Sequence, residues 1–300
     1  MENLNGNQPP VIDYEGSDYQ TSFWKEGGRE YEDRCEQIAL RRLLPDDGAL
    51  LLEIGAGAGR NTPRYIGFKR IVLIDYSLTQ VQQAQEYLGK SDKYVYVAGD
   101  VYRLPFVDNL FDGATMIRVL HHMQDPTSAL GQINRVIQHD SPFLLEYANK
   151  QNLKAILRYW LGKQEWNPFS LEAIEFEKLN FDFHPKSVNR LLAETGFNLE
   201  RLLTVSHFRI NFLKKWIPIG ILVALDSIFQ FTGSLWQLSP SVFSRSISEK
   251  PSHAKQLEGF FQCPACNKPL PEVEPGANKL VCPSCTKIYP IVDGIYDFRN

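Results

Sequence analysis

Leu50-Leu51-Leu52-Glu53-Ile54-Gly55-Ala56-Gly57-Ala58-Gly59-Arg60 is the stretch that decides the fold. A short apolar run ends in an acidic residue and is followed by three glycines at alternate positions. This order is typical of a buried parallel strand that runs into a tight turn and then a helix. Glycine suits such a turn because it tolerates positive φ and lets the backbone approach a ligand. Several kinds of nucleotide-binding fold use a turn of this type.

Three more apolar segments follow along the chain, at 71–75, 94–101 and 111–122. Asp75 ends the first of them, and Asp100 lies at the end of the second. Helices predicted at 77–89 and 127–138, and a fifth strand predicted at 143–147, complete the alternation. That rhythm indicates βαβ units and a parallel sheet. Ligands of such sheets bind at the carboxyl ends of the strands.

Four sequence segments carry a resemblance to a known family. They are E-I-G-A-G-A-G at 53–59, I-D-Y-S at 74–77, G-D-V-Y-R-L-P-F at 99–106, and F-D with V-L-H-H-M within 111–123. In this order they resemble the class I S-adenosylmethionine-dependent methyltransferases, of the type 11-like group. A dinucleotide-binding fold fits less well because the turn is not G-x-G-x-x-G. The resemblance implies a Rossmann-like α/β methyltransferase sandwich.

The same resemblance implies a cofactor site for S-adenosylmethionine. The glycine turn would approach the amino-acid portion of the cofactor, with the N-terminus of the following helix near its carboxylate. Asp75 is expected to accept hydrogen bonds from the ribose hydroxyls, and Asp100 to bind the adenine amino group. The predicted cofactor-binding residues are Glu53, Gly55, Gly57, Gly59, Asp75, Tyr76, Asp100, Val101 and Arg118.

Two histidines follow the fourth strand, where the pocket is expected to open. His121 and His122 are the predicted catalytic residues, because a general base helps when the methyl acceptor carries a proton. The alternative is that they are structural, as a histidine at this place often is in the family. Arg118 departs from the family pattern, and it would suit an acidic substrate or pair with Glu53 or Glu146.

The C-terminal segment contains two C-x-x-C pairs, separated by fifteen residues. This spacing is a strong signal for a structural zinc ribbon held by Cys263, Cys266, Cys282 and Cys285. Together with Y-P-I-V-D-G-I-Y-D-F at 289–298, it resembles the ribbons that activate tRNA, rRNA and release-factor methyltransferases. Four thiolates leave no open position for chemistry, so the metal is expected to be structural.

The domain organisation predicted from these features has four parts. Residues 1–48 are an N-terminal arm and a covering helix that either closes over the cofactor or only covers the sheet. The methyltransferase domain is 49–248, with helical cap insertions at about 151–184 and 208–238. Residues 249–258 are a linker, and 259–300 are the zinc ribbon, which is expected to dock on its own methyltransferase domain through its apolar residues.

Composition is that of an ordinary globular chain, with 43% hydrophobic residues and a net charge of −3. The charge provides no overall basic surface for nucleic acid. The first ten residues lack a basic start and an apolar core, so a secretory signal is not expected and the location is predicted to be cytoplasmic. Segment 208–238 is the most apolar stretch, and it is interpreted as a cap, as core, or as a helix in a membrane interface.

The sequence therefore predicts methyl transfer from S-adenosylmethionine to a small, acidic or lipidic molecule at oxygen, carbon or nitrogen. One alternative is a tRNA or rRNA methyltransferase with a built-in zinc-ribbon activator, so RNA is the alternative partner. A second is a non-catalytic regulator or scaffold that binds the cofactor. The sequence lacks the [D/N]-P-P-[Y/F] segment that marks transfer to exocyclic or side-chain amide nitrogens.

Overall fold

A computed structural model describes residues 9–11, 15–16, 28–251, 259–274 and 276–299 of the chain. Most of the predicted arm at 1–20, and most of the predicted linker at 249–258, lie outside these ranges. The described residues form one ten-stranded sheet and a separate two-stranded sheet. The α/β fold class expected from the sequence is confirmed.

The centre of the large sheet consists of five parallel strands. They are β1 (Gly48–Ile54), β2 (Phe68–Asp75), β3 (Tyr94–Ala98), β4 (Gly113–Met116) and β5 (Pro142–Ala148). Their spatial order is β3-β2-β1-β4-β5, so the order of the chain reverses beside β1. Strands of this kind are buried on both faces, which explains their continuous apolar runs. The point of reversal is where open α/β sheets form a ligand crevice.

Two antiparallel pairings complete this side of the sheet. β9 (Ser241–Ser248) pairs with β5 in antiparallel register. β8 (Phe197–Val205) pairs with β9, also in antiparallel register. Because both neighbours of β9 oppose it, β8 runs in the same direction as β5. The carboxyl ends of β5 and β8 therefore lie at the same edge of the sheet as those of β1 to β4.

Two helices match the predicted alternation, and the helix predicted after the glycine turn is wrong. α2 (Leu78–Leu88) and α3 (Pro126–Val136) pack on the sheet as expected, and α5 (Pro185–Glu194) precedes β8. Between β1 and β2 the structure has only a 3₁₀ turn at Thr62–Arg64. The connection from Gly59 to Phe68 is short and contains Pro63 and Gly67, so an α-helix does not fit.

The sheet face left open by this short connection is covered by α1 (Glu30–Leu43). Its apolar side chains are fully buried and join a core cluster with residues of β1, β2 and the 3₁₀ turn; they are Tyr31, Cys35, Ala39, Leu40 and Leu43. An N-terminal helix thus takes the place of the helix that the glycine turn predicted.

The first insertion begins as predicted and then differs. α4 (Leu153–Trp160) matches the predicted helix, but the following residues form a hairpin of β6 (Ile174–Glu177) and β7 (Asn180–Asp182). A purely helical cap at 151–184 is therefore wrong. The alternating sequence I-E-F-E favours a strand, and Leu179 takes a φ of 58° in the connecting turn.

The second insertion is helical and is tied to α1. It contains α6 (Asn211–Trp216), α7 (Ile219–Phe229) and a 3₁₀ turn at Gln230–Ser234. The buried carboxylate of Asp226 accepts hydrogen bonds from the Tyr31 hydroxyl at 3.0 Å and from the His207 backbone N–H at 2.8 Å. This insertion is therefore partly core, because one face of α7 is buried, although its other face exposes apolar side chains.

The cysteine-containing segment continues the large sheet. It consists of β10 (Lys279–Val281), β11 (Ile288–Val292) and β12 (Ile295–Asp297), and β12 pairs with β3 in parallel register. Beyond the strand, the Phe298 N–H donates to the Ala98 carbonyl at 2.7 Å. The ribbon thus docks on the edge strand β3 and not on the insertion at 208–238.

Aromatic side chains fill the contact between the ribbon and the sheet. Phe261 of the ribbon stacks on Phe106 with ring centroids 5.9 Å apart, and its ring centroid lies 5.0 Å from that of Phe298. Phe106, Phe261 and Phe298 are all buried and belong to the same core cluster as β1 to β5. The ribbon and the parallel sheet therefore share one core.

The helices of the described ranges are all too short or too polar to cross a membrane.

Phe298→Ala is expected to lower the free energy of unfolding by about 3–5 kcal/mol, because it leaves a cavity in the shared core. The matched control is Val292→Ala in the same ribbon, whose side chain is 58% exposed. The control is expected to stay within about 0.5 kcal/mol of the parent protein. Chemical denaturation measures both. Equal stability of the Phe298 variant and the parent would mean that the ribbon does not dock on β3.

Candidate active site

A cavity opens at the carboxyl ends of β1, β2, β3 and β4. Of the predicted cofactor-binding residues, most line this cavity; they are Glu53, Gly55, Gly57, Asp75, Tyr76, Val101 and Arg118. His122 also lines it. Gly59, Asp100 and His121 are outside the described lining, although Asp100 lies between two lining residues, Gly99 and Val101. The predicted site residues therefore converge on one place.

The glycine turn is shaped by positive φ angles and close packing. Gly55 has a φ of 64°, and a Cβ placed on it would lie 2.2 Å from Cγ2 of Val119. Gly59 has a φ of 77° and faces the side chains of Leu88 and Ala84 on α2, away from the cavity. The absence of a side chain at Gly55 thus allows the turn to pack against Val119, and its absence at Gly59 allows the turn to pack on α2.

Asp75 organises the turn as well as facing the cavity. Its Oδ2 accepts a hydrogen bond from the Gly57 N–H at 2.8 Å, and its Oδ1 accepts one from the Ser77 N–H at 3.0 Å. A carboxylate has about four acceptor positions, so ribose hydroxyls can be accepted in addition to these two backbone groups. The residues present therefore fit the cofactor that the sequence predicts.

Asp100 caps a turn from the rim of the cavity. Its Oδ1 accepts a hydrogen bond from the Tyr102 N–H at 2.9 Å, at the start of the 3₁₀ turn Val101–Arg103. This contact holds Val101 against the cavity. The predicted contact between Asp100 and an adenine amino group stays a prediction.

Glu53 is a buried anchor beneath the turn. Its carboxylate accepts a hydrogen bond from the Thr62 hydroxyl at 2.6 Å. Burial raises the pKa of Glu53 to about 7, against the opposing effect of hydrogen bonds from Thr62 and Tyr65. The side chain thus connects β1 to the 3₁₀ turn that replaces the predicted helix.

Arg118 binds a partner that the sequence did not indicate. Its Nε donates to Oε1 of Glu36 at 2.8 Å, and its backbone N–H donates to Glu146 at 3.0 Å. The side chain of Arg118 thus pairs with Glu36, while Glu146, one of the partners expected as an alternative, is bound by the backbone N–H. Arg118 has a φ of 62°, which turns the chain back toward α1 directly after β4.

Glu36 joins three elements around the cavity. It is fully buried on α1, and its second carboxylate oxygen accepts a hydrogen bond from Nη2 of Arg60 at 2.9 Å. Burial alone would raise the pKa of Glu36, but Arg118 and Arg60 outweigh it and lower the pKa to about 2. One carboxylate therefore holds the glycine turn, the end of β4 and the covering helix together.

The two predicted catalytic histidines have different surroundings. His121 is partly buried, and its Nδ1 is enclosed without a hydrogen-bond partner among the described residues. Burial, the neighbouring His122 and Arg118 lower its pKa well below the usual value. His122 lines the cavity, and its Nδ1 lies 3.1 Å from the Leu179 carbonyl oxygen.

The contact with Leu179 decides the tautomer of His122. A carbonyl oxygen only accepts, so Nδ1 carries the hydrogen and Nε2 carries the lone pair. Burial lowers the pKa of His122, although the bond to Leu179 opposes this. A neutral imidazole with an acceptor nitrogen at the cavity can take a proton from a substrate.

A polar cluster adjoins the cavity next to Arg118, and the sequence analysis did not predict it as a group. It comprises Glu146 of β5, Asp182 of β7 and Arg209, which follows β8. Nε and Nη2 of Arg209 are buried without a hydrogen-bond partner in the described ranges, and Nε lies 3.8 Å from Glu32. Burial, and then the charge of Glu146, raise the pKa of Asp182 to about 6.

The four ribbon cysteines come together as predicted. Their Sγ atoms all lie within 4.8 Å of one another, with Cys263 and Cys285 separated by 3.6 Å. A zinc–sulfur bond of about 2.3 Å gives about 3.8 Å between sulfur atoms in a tetrahedron. Two equivalent turns present them, because the Asn267 and Thr286 N–H groups donate to the carbonyls of Cys263 and Cys282. The arrangement is compatible with a zinc ribbon.

Comparison with known families gives two matches. Residues 52–145 match the family described as "Methyltransferase domain", and residues 260–294 match the family described as "Trm112p-like protein". Among curated proteins, the O-methyltransferase resE of Aspergillus sclerotiorum is 30% identical over 206 residues, which cover 63% of this chain and 70% of that protein.

Other relatives match over shorter regions. The O-methyltransferase cnsE of Penicillium expansum is 29% identical over 145 residues, which cover 45% of this chain and 52% of that protein. A demethylmenaquinone methyltransferase of Corynebacterium kroppenstedtii is 32% identical over 99 residues, covering 33% of this chain and 41% of that protein. The chain spans about half the length of the first curated relatives it matches.

Solved structures share the fold at low identity. One is from the complex between the Haloferax volcanii Trm112 methyltransferase activator and its methyltransferase, with a TM-score of 0.55, 16% identity, and coverage of 77% of this chain and 96% of that chain. Another is an S-adenosylmethionine-dependent methyltransferase from Listeria monocytogenes, with a TM-score of 0.53, 12% identity, and coverage of 74% and 100%.

Asp75→Ala is expected to weaken the binding of S-adenosylmethionine by about 1–3 kcal/mol, because polar partners in the cavity lose their acceptor. Isothermal calorimetry measures this. Asp92→Ala, at an exposed acid before β3, is the matched control and is expected to bind as the parent does. Unchanged affinity in the Asp75 variant would contradict its assignment to the cofactor.

Proposed function

The chain belongs to the class I S-adenosylmethionine-dependent methyltransferases and carries a Trm112-like C-terminal domain, and from this premise we propose that it methylates a hydroxyl group of a small, largely apolar molecule of acidic character. The observation that carries this proposal is His122. It combines a place on the cavity wall with a neutral ring whose acceptor nitrogen is set by the Leu179 carbonyl.

The cofactor is proposed to lie against the glycine turn. Gly55 and Gly57 would face its amino-acid portion, Asp75 its ribose, and Val101 its adenine. S-adenosylmethionine supplies a methyl group on a positively charged sulfur, which is already a strong electrophile. The protein therefore mainly aligns the acceptor with the methyl group and excludes water.

His122 is proposed as the general base. The acceptor hydroxyl would donate to Nε2 of His122, and this nitrogen would take up the proton that the hydroxyl loses when it is methylated, with S-adenosylhomocysteine as the other product. The Leu179 carbonyl keeps the other nitrogen protonated, and it stabilises the imidazolium that results. His121 is assigned a structural part, since it is absent from the cavity lining and its ring packs on His122 with centroids 4.0 Å apart.

The substrate class is inferred from the surroundings of this base. Arg118 and Arg209 are cations at or beside the cavity, and they would stabilise the negative charge on an ionising hydroxyl. The insertions that follow β5 and β8 expose many aromatic and aliphatic side chains, which favours an apolar acceptor. The relatives named as O-methyltransferases support oxygen as the acceptor atom, and the relative named as a demethylmenaquinone methyltransferase supports an apolar ring compound as the acceptor.

The ribbon is proposed to bind one structural zinc ion through Cys263, Cys266, Cys282 and Cys285. Four thiolates close the coordination tetrahedron, so the metal would take no part in methyl transfer. Its proposed task is to keep the ribbon folded, and thereby to support β3 and the cavity rim at Val101. In this chain the activator-like domain would act on its own catalytic domain.

A second candidate function is methylation of tRNA or rRNA, and the Trm112-like match is the observation that favours it. The charge of the segment is against it. Residues 258–300 carry four positive side chains, Lys268, Lys279, Lys287 and Arg299, and five negative ones, Glu258, Glu272, Glu274, Asp293 and Asp297. A surface of this balance is a poor partner for phosphates.

His122→Gln is expected to lower kcat by about 10²- to 10⁴-fold, because the acceptor loses its base. The release of S-adenosylhomocysteine is measured with a panel of phenols and hydroquinones. The matched control is His139→Gln, an exposed histidine in the turn between α3 and β5, which is expected to keep the parent rate. Cofactor affinity is expected to stay unchanged in both variants.

The pH profile adds a second readout to this experiment. Because the pKa of His122 is lowered from 6.5, the parent rate is expected to rise with pH in the acidic range and to be constant at neutral pH. A full rate in the His122 variant would contradict the assignment of the base. Turnover of RNA, with none of any phenol or hydroquinone, would favour the second candidate function.

Substituting Ser for both Cys282 and Cys285 is expected to abolish zinc binding and the folding of the ribbon, because metal binding supplies on the order of 10 kcal/mol to such small domains. Zinc content by atomic absorption is expected to be one ion per parent chain and none in the variant. Hydrogen exchange at Phe298 and in β12 reports folding. Equal protection in the variant would contradict the proposed task of the metal.

A further inference from the structure

Two apolar surfaces lie on the insertions that follow β5 and β8, and neither is covered by another part of the described chain. One is the outer face of α4, and the other runs through α6, α7 and the residues up to Trp236. We propose that these two surfaces together bind a lipid bilayer that carries anionic headgroups. This interaction goes beyond the proposed reaction and does not depend on which acceptor is methylated.

The α4 surface is a regular stripe on a short amphipathic helix. Leu153, Leu157, Trp160 and Leu161 lie at helical spacing and are 50%, 46%, 69% and 67% exposed. On the opposite face Ala155 and Ile156 are buried and attach the helix to the domain. A helix with one buried anchor and a continuous exposed apolar stripe is typical of a surface that meets a further apolar phase.

The second surface has the same character and includes two tryptophans. Phe212 and Trp216 of α6 are 67% and 70% exposed, and Leu235 and Trp236 are 78% and 57% exposed. On α7, Ile221 and Ile228 point outward while Leu222 and Val223 are buried. Tryptophan is enriched at membrane interfaces because its ring is apolar and its N–H is polar.

The two surfaces lie at one edge of the molecule. The Leu153 N–H donates to the Leu238 carbonyl at 2.8 Å, and the Asn149 side chain donates to the Gln237 carbonyl at 2.7 Å. The residues around Trp236 are thus next to the start of α4. Both insertions leave the sheet at the carboxyl ends of β5 and β8, which is the edge where the cavity opens. A bilayer on these surfaces would therefore face the cavity.

The charges beside the stripes select an anionic lipid surface. Residues 151–164 contain three basic side chains, Lys154, Arg158 and Lys163, and no acidic one. In α6, Lys215 is exposed, while Lys214 pairs with Glu32 at 2.8 Å. Long basic side chains at the border of an apolar stripe can extend to headgroup phosphates. The acidic hairpin with Glu172, Glu175 and Glu177 would remain outside this contact.

A second copy of the chain is a less suitable occupant. Isologous contacts would bring Lys154, Arg158 and Lys215 of both copies to one interface, where like charges repel. An anionic bilayer satisfies the tryptophans, the aliphatic stripe and the basic border together. The bilayer is therefore the occupant to which we commit.

Sedimentation with vesicles tests the proposal on the full chain. The parent protein is expected to bind vesicles of phosphatidylcholine and phosphatidylglycerol, and to bind phosphatidylcholine alone on the order of tenfold more weakly. Trp160→Asp and Trp216→Asp are each expected to reduce binding by on the order of tenfold or more, because a charge enters the apolar surface. Ile66→Asp, at an 84% exposed residue by the opposite edge of the sheet, is the matched control and is expected to bind as the parent does.

A second variant separates the electrostatic contribution from folding. The double variant with Lys154→Glu and Arg158→Glu changes only exposed side chains, so the fold is expected to persist, and binding to the anionic vesicles is expected to fall to the level of the neutral ones. Thermal unfolding checks that each variant is folded. The proposal would be overturned if the parent did not bind the vesicles. It would also be overturned if both tryptophan variants bound them as strongly as the parent does. A parent dimer that Trp160→Asp converts to a monomer, without any vesicle binding, would replace the bilayer by a second copy.

Discussion

The buried carboxylate of Glu36 is the interaction on which the candidate site depends most. It accepts hydrogen bonds from Arg60 in the glycine turn and from Arg118 after β4, and its own helix covers the sheet. Loss of one partner from such a buried group costs on the order of 3–5 kcal/mol, because the remaining charge is left without compensation. The covering helix, the turn and the end of β4 therefore form one unit, and the cavity lies inside it.

Sequence reasoning was most successful where local patterns and backbone geometry agree. The parallel strands, the alternating helices and β9 follow from apolar periodicity, and Gly55 and Asp75 lie on the cavity because strand ends meet at one edge. The helix after the glycine turn was wrong, because the general pattern outweighed the local evidence of Pro63 and Gly67. The hairpin after α4 was missed because a short polar and aromatic run does not distinguish a strand from a helical cap.

The pairing of Arg118 with Glu36 could not be predicted from the sequence. The two residues are 82 positions apart, and nothing in the pattern around Glu36 distinguishes it from other acids on α1. The same holds for Asp182 and Arg209, which come from two insertions without a recognisable motif. By contrast, the grouping of the four ribbon cysteines could be predicted from their spacing, since a tetrahedral metal site requires two close pairs.

The sheet also explains how the outer parts of the chain relate to the site. On one side the ribbon extends the sheet through β12 and places Phe298 beside Gly99 at the cavity rim. A Cβ placed on Gly99 would lie 3.8 Å from Cβ of Phe298. On the other side the two insertions leave the sheet at the carboxyl ends of β5 and β8, which is the edge where the cavity opens. The ribbon thus supports the proposed cofactor end of the cavity, and the insertions form the end that an apolar acceptor would enter.

A crystal structure of the full chain with S-adenosylhomocysteine tests the central claim most directly. The account predicts the ligand in the cavity, with its ribose hydroxyls on Asp75, its adenine beside Val101, and its sulfur directed toward His122. A ligand bound elsewhere, or a ribose held by residues other than Asp75, would contradict the account.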